Sequence, residues 1–297
     1  MKKKLVNKRI VIDARMINDS GIGTYLKNIL PFLFDEFDIV LLGNKNDLLK
    51  YFFNYKFQFI NFNAPIYSIK EQFFFPFIIP NCEIFWSPHF NSPIFPVKAK
   101  KRICTIHDIN HLVFDSGMSK VKKLYAQILY YNSLKRSEKI ITVSNFSKQE
   151  IINYFNFGEE KVNVIYCGVS QIFFSDNYPK SEIILPEKYI LFVGNVKPHK
   201  NLITLLKSYQ LLPENIKDEY KLVILGKNEG FITPDKLVSN FVSQHNLINN
   251  IVFTGFIDDK FIPEIYAKAT LFVFPSLCIK NFLKCHLTLF QVAFKNL

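Results

Sequence analysis

The segment at residues 189–202, which reads Tyr-Ile-Leu-Phe-Val-Gly-Asn-Val-Lys-Pro-His-Lys-Asn-Leu, constrains the fold more than any other part of the chain. Five apolar residues ending at a glycine are typical of a buried parallel strand, and residues 203–211 repeat apolar side chains at helical spacing. The pattern predicts a strand, a loop and a helix. Such loops bind ligands in open α/β sheets, and a helix start beside a lysine suits a phosphate. An ordinary connection with surface lysines fits the segment equally well.

Similar patterns along the rest of the chain predict an α/β protein. In the first half, apolar strands are predicted at residues 8–13, 37–43, 57–62, 83–90, 101–108, 139–144 and 162–166. Further strands are predicted at residues 220–226, 250–255 and 270–275. Their order, with helices between them, predicts two doubly wound, Rossmann-like domains that face a ligand cleft. The first domain is expected at residues 1–175 and a partial second domain at residues 189–297, joined by a polar, proline-bearing linker at residues 176–188.

Composition narrows the class of protein. With 49% apolar and 21% charged residues, the chain is globular and not disordered. The net charge of +12 attracts polyanions or an anionic membrane surface, but the sequence has no zinc-finger spacing or base-stacking pattern, so we expect no nucleic-acid partner. No apolar run approaches the roughly 18 residues that span a bilayer, and Asp13 interrupts the apolar run that begins at Ile10. We therefore expect a cytoplasmic protein.

The cysteines have no spacing that suggests a metal site, a redox motif or a disulfide framework. They are odd in number and widely separated: Cys82, Cys104, Cys167, Cys278 and Cys285. In a cytoplasmic protein such residues are buried or neutral thiols. We expect them to be chemically inert.

Two glycines lie where the loop after the first strand enters a helix predicted at residues 26–34. Gly21 and Gly23 allow backbone amides and the positive end of the helix to face a ligand. A dinucleotide-binding motif would require a third glycine, where this chain has Leu26, and a tighter turn after the strand. The sequence therefore disfavours a dehydrogenase.

A polar pair, His107 and Asp108, stands at the carboxyl end of the strand predicted at residues 101–108. Polar residues at this position are more often functional than polar residues elsewhere, because the strand itself favours apolar side chains. The alternative is that the two side chains cap a turn.

Residues 119–139 have a helical pattern and carry many positive charges. The predicted helix places Leu124, Ile128, Leu129 and Leu134 on one side and six Lys or Arg residues elsewhere. Such a helix can lie against an anionic bilayer at the inner face of the plasma membrane. The alternative is an ordinary solvated helix face.

Six segments occur in a fixed order between residues 9 and 277. They are Ile-Asp-Ala-Arg with Ser-Gly-Ile-Gly-Thr-Tyr, Thr-Ile-His-Asp, Ile-Thr-Val-Ser-Asn-Phe-Ser, Val-Ile-Tyr-Cys-Gly-Val, Phe-Val-Gly-Asn-Val-Lys-Pro-His-Lys-Asn-Leu and Leu-Phe-Val-Phe-Pro-Ser. Together these segments closely resemble the GT-B glycosyltransferases of family 4. This large retaining family includes bacterial mannosyl- and glucosyltransferases for lipopolysaccharide, O-antigen and capsule.

The resemblance implies transfer of a hexose, with mannose a candidate, from a nucleotide-diphosphate sugar to a saccharide or lipid-linked acceptor. It implies a role in cell-surface polysaccharide synthesis, with retention of anomeric configuration. The family is commonly independent of metal, and the chain has no Asp-x-Asp motif, so we expect no cofactor and no metal. The acceptor is expected at variable loops of the first domain, here residues 67–80.

The resemblance also implies roles for individual residues of the first domain. Gly21 and Gly23 are similar to the loop that closes over the donor diphosphate. His107 is similar to the family histidine that faces the sugar ring, and Asp108 is its usual neighbour. We therefore expect His107 and Asp108 to be catalytic.

In the second domain, Lys200 matches the lysine that holds the donor phosphates, and Asn195 and His199 lie in the same loop. A fixed lysine and helix-end amides stabilise the negative charge of a departing nucleoside diphosphate. His199 stands where the family has an arginine, so this part of the charge clamp is expected to be weaker or dependent on pH.

The resemblance ends after residue 277. The family continues with a helix that carries Glu-x7-Glu, whereas residues 278–297 contain no glutamate. The sequence therefore predicts a truncated or frameshifted transferase that is inactive or nearly so. Two alternatives remain open: a non-catalytic remnant that binds acceptor or membrane, and a nucleotide-sugar epimerase of the same architecture.

Overall fold

A computed structural model of the protein describes residues 8–19, 21–113, 119–174, 177–194, 196, 200–226, 236–255 and 257–276. The chain divides into two compact units, Met1–Cys167 and Gly168–Leu297. Each unit contains its own β-sheet, in which all neighbouring strands are parallel.

The first unit has a sheet of seven strands in the order β3-β2-β1-β4-β5-β6-β7. The strands are β1 (Arg9–Asp13), β2 (Asp38–Gly43), β3 (Gln58–Asn61), β4 (Cys82–Ser87), β5 (Ala99–Thr105), β6 (Lys139–Thr142) and β7 (Val162–Val164). The chain proceeds outward in one direction from β1 and in the other from β4. The loops after β1 and β4 therefore diverge to opposite faces, which opens a crevice at the carboxyl edge of the sheet.

Helices cover both faces of this sheet. They are α1 (Ile22–Phe34), α2 (Lys45–Phe52), α3 (Ile69–Ile78), α4 (Asn110–Val113), α5 (Lys120–Arg136) and α6 (Asn145–Phe155). On one face, α1 and α2 pack against Ile10 and Ile12 of β1. On the other face, α3 packs against Val11, and α5 and α6 pack against Cys104 and Ile140.

The second unit has a four-stranded sheet in the order β10-β9-β8-β11. Its strands are β8 (Tyr189–Val193), β9 (Lys221–Leu225), β10 (Ile251–Gly255) and β11 (Leu271–Phe272). Its helices are α7 (Leu202–Gln210), α8 (Glu214–Glu219), α9 (Lys236–Gln244) and α10 (Ile262–Lys268). Phe192 and Ile224 pack with α7 and α9 on one face of the sheet, and Leu191 and Val223 pack with α10 on the other.

The segment predicted as a linker contacts the second unit. Residues 177–188 have no helix or strand. The backbone N–H of Ser181 donates to the Glu264 carboxylate over 2.5 Å, and Leu185 packs on the cluster that contains Tyr189 and Ile265. These contacts fix part of the segment to the surface of α10.

Each predicted strand has a counterpart among β1 to β11, because buried parallel strands are nearly continuous apolar runs. The helices were harder to predict. The acceptor loop expected at residues 67–80 contains α3, whose first amide turn is capped by Ser68 Oγ. Its consecutive phenylalanines hide the helical period, since several of them are exposed. Helix α1 begins at Ile22 and not at residue 26.

The prediction that four apolar residues share one side of α5 is wrong. Leu129 and Leu134 are buried, whereas Leu124 and Ile128 are exposed. Tyr130 and Ser133 take their place on the buried side, where Ser133 Oγ donates to the carbonyl of Phe90 over 2.5 Å. Within the described ranges, every helix is too short or too polar to span a bilayer.

Candidate functional site

The glycine loop of the first unit uses one of its glycines for close packing. Gly21 is the N-cap of α1 and has a φ of 81°, a conformation that favours glycine. A Cβ atom on Gly23 would lie 2.3 Å from the carbonyl oxygen of Ile17, so only glycine fits. The N–H of Gly23 donates to the carbonyl of Asp19 over 2.9 Å. That amide is therefore engaged within the loop.

His107 lies just beyond β5 and contacts two neighbouring elements. Its Nε2 is 3.0 Å from the carbonyl oxygen of Pro88, in the loop after β4. Its ring meets Tyr25 of α1 edge-on, with the ring centroids 4.9 Å apart. Burial raises the pKa of Tyr25 to about 12, so this tyrosine stays neutral around His107. The contacts fix the imidazole at the carboxyl edge of the sheet.

Asp108 caps the turn that leads into α4. Its Oδ1 accepts a hydrogen bond from the N–H of Asn110 over 2.9 Å, and its backbone carbonyl accepts one from the Tyr130 hydroxyl over 2.9 Å. The side chain of Asp108 therefore caps a turn, as the alternative interpretation of the sequence stated. The hydrogen bond from Tyr130 connects the backbone of Asp108 to α5.

A buried ion-pair network stands beside these residues and was missed in the sequence. The Arg15 guanidinium donates to Asp13 over 2.6 Å and to Glu71 of α3 over 2.8 Å. The side chain of Arg15 is 4% exposed and that of Glu71 is fully buried. Burial opposes the charge of Arg15, but the two carboxylates raise its pKa above the ordinary value. In the sequence, the signal was a polar pair at the end of a buried strand: Asp13 is the last residue of β1, and Arg15 follows two residues later.

The network continues from Glu71 into the loop after β4. The Asn91 side-chain amide donates to Glu71 over 2.7 Å, and the Ile94 N–H donates to Gln72 Oε1 over 2.8 Å. Burial raises the pKa of Glu71, against the opposing influence of Arg15 and Asn91. The loops after β1 and β4 are thus joined through α3 by satisfied polar contacts.

In the second unit, Lys200 lies between β8 and the start of α7. Its Nζ is 4.7 Å from the centroid of the Phe274 ring, in the segment after β11. Asn201 has a left-handed backbone (φ 57°) and donates through Nδ2 to the carbonyl of Pro275 over 3.1 Å. Asn201 makes no side-chain hydrogen bond to the first amides of α7. Lys200 therefore stands beside a helix start whose N-cap side chain leaves those amides to other acceptors.

Two of the residues expected to bind the donor diphosphate, Asn195 and His199, lie outside the described residues, as does the segment at 278–297. Gly194, which precedes Asn195, donates its N–H to the Leu225 carbonyl over 2.8 Å and so extends the pairing of β8 with β9. In the described parts of the chain, no three His, Cys, Asp or Glu residues are grouped closely enough to hold a metal ion.

Two family models match the chain. The model for glycosyltransferase family 4 matches residues 29–171, and the model for glycosyl transferases group 1 matches residues 174–282. The chain belongs to these glycosyltransferases. The resemblance inferred from the six sequence segments is confirmed.

The chain is similar to several curated mannosyltransferases. O-antigen chain mannosyltransferase B of Escherichia coli is 30% identical over 203 residues, which cover 65% of this chain and 51% of that protein. O-antigen chain mannosyltransferase RfbU of Salmonella typhimurium is 28% identical over 60% of this chain and 46% of its own length. The serotype-specific mannosyltransferase WbdA of Escherichia coli is 27% identical, with 60% of this chain and 23% of WbdA covered. The matched part of the chain spans about half or less of these relatives.

Solved glycosyltransferases share the fold. HepE of Anabaena, in complex with UDP and glucose, has a TM-score of 0.67 and 14% identity over 96% of this chain and 79% of its own. WaaG, a glycosyltransferase involved in lipopolysaccharide biosynthesis, has a TM-score of 0.69 and 11% identity over 95% of this chain and 79% of its own. The expected GT-B class, with Rossmann-like parallel sheets, is confirmed.

Proposed function

We propose that the protein transfers a hexose, mannose foremost, from a nucleotide-diphosphate sugar to a saccharide or lipid-linked acceptor in cell-surface polysaccharide synthesis, with retention. The family and the mannosyltransferase relatives support the reaction class. The observation that carries the proposal is the position of Lys200, beside the start of α7 and over Phe274.

Lys200 and α7 have the chemistry that the reaction requires. In the transfer, the bond between the sugar C1 and the diphosphate oxygen breaks, and a bond from C1 to an acceptor hydroxyl oxygen forms as that hydroxyl passes its proton to the departing diphosphate oxygen. Negative charge collects on the departing diphosphate. A lysine held against an aromatic face and a row of helix-end amides stabilise such charge without a metal. In the first unit, His107 faces the carboxyl edge where we place the acceptor, and Asp108 holds the turn behind it.

Calorimetric titration with UDP and GDP tests the proposal. We expect Lys200→Met to weaken nucleotide binding by about 10- to 100-fold, the loss of one charge-assisted hydrogen bond at a phosphate. Lys207→Met is the matched control, because Lys207 is an exposed lysine of α7, the helix that begins beside Lys200. The titrations are repeated with EDTA and with Mg²⁺, and we expect equal affinity. Unchanged binding by Lys200→Met would refute the assignment of this lysine to the diphosphate.

Product formation separates the alternative functions. A transferase converts donor only when an acceptor is present, and the one-bond carbon–proton coupling at the anomeric carbon of the product reports retention. An epimerase converts the nucleotide sugar without acceptor, and a non-catalytic remnant binds acceptor or membrane without turnover. The sequence-based prediction of an inactive chain is the opposite of this proposal, and product formation in the same assay would refute it.

The exposed face of α5 supports contact with an anionic membrane. Its outward side chains recur at helical spacing and are apolar: Val121, Leu124, Ile128 and Tyr131. They are accompanied by basic residues of the same helix, Lys120, Lys122, Lys123, Lys135 and Arg136, and the helix contains no Asp or Glu. An apolar strip flanked by lysines matches the boundary between acyl chains and anionic headgroups.

Vesicle sedimentation tests this contact. We expect binding to vesicles that contain phosphatidylglycerol and little binding to pure phosphatidylcholine. The double substitution Leu124→Ser with Ile128→Ser should reduce binding several-fold. Leu211→Ser, which removes a leucine that is at least as exposed but lies on the second unit, is the control. Equal binding by both variants would exclude α5 as the contact.

A further inference from the structure

Tyr67, just before α3, has an unusual backbone. Its φ of 64° is in the left-handed region, which a bulky side chain adopts rarely and at a cost. It occupies a turn in which the N–H of Ser68 donates to the carbonyl of Pro65 over 3.2 Å. Strained backbone of this kind is concentrated at ligand-binding positions. The backbone of Tyr67 therefore points to a binding role for this residue.

The ring of Tyr67 packs against two aromatic side chains and meets one of them, His89, edge-on with the ring centroids 5.5 Å apart. It stacks on Phe90, with the ring centroids 5.6 Å apart, and Phe90 stacks in turn on Tyr130 with a separation of 3.9 Å. Tyr67 is nonetheless 46% exposed. The stacking with Phe90 fixes the orientation of an aromatic side chain that is accessible to solvent. The backbone of Tyr67 is strained in this position.

The hydroxyl of Tyr67 lies beside a histidine whose tautomer we infer from its other hydrogen bond. Nδ1 of His89 accepts a hydrogen bond from the N–H of Asn91 over 3.4 Å. A neutral imidazole that accepts at Nδ1 carries its proton on Nε2. The Nε2–H of His89 then donates to the Tyr67 oxygen, 3.1 Å away. This arrangement directs the hydroxyl hydrogen of Tyr67 away from His89, where it is able to donate to a ligand oxygen.

The charges around Tyr67 keep its hydroxyl protonated. Desolvation and the negative charges of Asp19, Glu71 and Asp108 raise the pKa of Tyr67 above its ordinary value. These carboxylates also make the position unfavourable for an anionic ligand. A neutral ligand that accepts hydrogen bonds and has an apolar face is favoured.

The Tyr67–His89 pair lies on the same sheet edge as His107. His89 follows β4 and His107 follows β5, and these strands are neighbours. The Cys104 Sγ contacts the His89 carbonyl at 3.3 Å, and His107 contacts the preceding Pro88 carbonyl at 3.0 Å. A ligand on Tyr67 is therefore close to the histidine that we assign to the reaction.

We propose that Tyr67 and His89 form a saccharide subsite for the acceptor, in which a neutral sugar ring packs on the Tyr67 face and one of its hydroxyl oxygens accepts from the Tyr67 O–H. The proposal rests on the proposed function, since it assigns the acceptor to this edge of the first unit. Sugar rings have an apolar C–H face and a rim of hydroxyls, which match an aromatic face with a polar tip.

Saturation-transfer NMR on the full chain tests the subsite, with the methyl α-glycosides of mannose, glucose, galactose and N-acetylglucosamine as probes. We expect at least one probe to bind. Tyr67→Phe should weaken that binding roughly 5- to 10-fold, the effect of one lost hydrogen bond. Tyr67→Gly should abolish it. Its thermal midpoint is measured alongside to show that the chain stays folded, because glycine relieves the strained φ but loses the contacts with Phe90 and His89. Tyr55→Phe, an exposed tyrosine after α2, should bind as the unmodified protein does.

Three results would overturn the subsite. They are the absence of binding by every probe, unchanged binding in both Tyr67 variants, and a lowered midpoint in Tyr67→Gly with binding intact, which would make the tyrosine purely structural. Nucleotide titration of the same samples separates this failure from a failure of the proposed function. If UDP or GDP binds through Lys200 and the glycosides do not bind, only the subsite is wrong. If neither nucleotide binds, the transferase proposal is wrong.

Discussion

The polar groups at the carboxyl edges of the two sheets differ in the contacts that they make. In the first unit, the polar groups are matched to one another: Arg15 to Asp13 and Glu71, and the Gly23 amide to the Asp19 carbonyl. In the second unit, Lys200 lies over an aromatic ring, and α7 begins without a side-chain cap. The described contacts of the first edge join groups of its own loops and helices, whereas the second edge places a lysine beside a helix start without a side-chain cap. Nucleotide should therefore stabilise the second unit selectively.

The largest effect should come from removing the central cation of the first edge. Arg15→Met leaves Asp13 and Glu71 buried without a counter-charge, and we expect it to lower the free energy of unfolding of the first unit by about 3–5 kcal/mol in urea titration. Arg9→Met is the control. The ion pair of Arg9 with Asp38 is partly exposed, and exposed pairs contribute about 1 kcal/mol or less. Equal losses in the two variants would remove the contrast between the edges.

A methyl group on Gly23 is expected to have the next largest effect. Gly23→Ala forces Cβ against the Ile17 carbonyl, and overpacking of this kind costs about 1–3 kcal/mol. Gly168→Ala, at the start of the second unit, meets no atom within 4 Å. Its unfolding free energy should be unchanged or higher by about 0.4–1 kcal/mol. A neutral Gly23→Ala would mean that the loop adjusts and that its packing does not require glycine.

The two units should also differ in their response to acid. Burial raises the pKa of Glu71 in the folded state, so its favourable contribution is present below the unfolded pKa and is lost as the pH rises through the folded pKa. Burial also opposes ionisation of Glu264, but Lys268 and the Ser181 N–H lower its pKa overall. The contribution of Glu264 is therefore present above the unfolded pKa and is lost as the pH falls.

The substitutions Glu71→Gln and Glu264→Gln measure the difference in pH dependence between the two carboxyl groups. Between pH 7 and pH 4, the unmodified protein should gain stability relative to Glu71→Gln and lose it relative to Glu264→Gln. Urea unfolding at both pH values gives the comparison. A change of the same sign for both variants would contradict the opposite pKa directions.

The smallest effect concerns helix starts. Ser144 Oγ accepts from the Ser147 N–H over 3.0 Å at the start of α6, and Ser144→Ala should cost about 1 kcal/mol. Asn201→Gly in the second unit should cost less, because the ease with which glycine adopts the left-handed backbone offsets the loss of the Asn201 side-chain bonds with the Pro275 carbonyl and the Thr204 hydroxyl. The measurement is the free energy of unfolding by urea. If Asn201→Gly lowers the free energy of unfolding more than Ser144→Ala does, the bond of Asn201 to Pro275 contributes more to stability than the cap of Ser144.

The strands of both sheets were predictable, because parallel strands buried on both faces are continuous apolar runs. Helix α3 was not predicted, because exposed phenylalanines such as Phe77 break the expected alternation of apolar and polar faces. The single apolar side of α5 was predicted wrongly for a related reason, since Leu124 and Ile128 are apolar and yet face outward.

The side-chain network of the candidate site could not be predicted from local sequence patterns, because its members are far apart in the chain. Arg15 meets Glu71, which is 56 residues away in the chain. Tyr67 meets His89 only because α3 and the loop after β4 come together. Single positions such as His107 and Lys200 are visible from their place after a strand, whereas partners depend on how distant loops converge.

The strand order of the first sheet also has a consequence for how the chain is made. On the ribosome, β1, β2 and β3 are completed first, and β4 then joins the other side of β1. From that point β5, β6 and β7 each extend the newest edge in the order of their synthesis. Only the pairing of β1 with β4 has to wait for a long intervening stretch of polypeptide. Until it forms, β1 presents an open edge to the nascent chain, and that interval is when a chaperone is most useful.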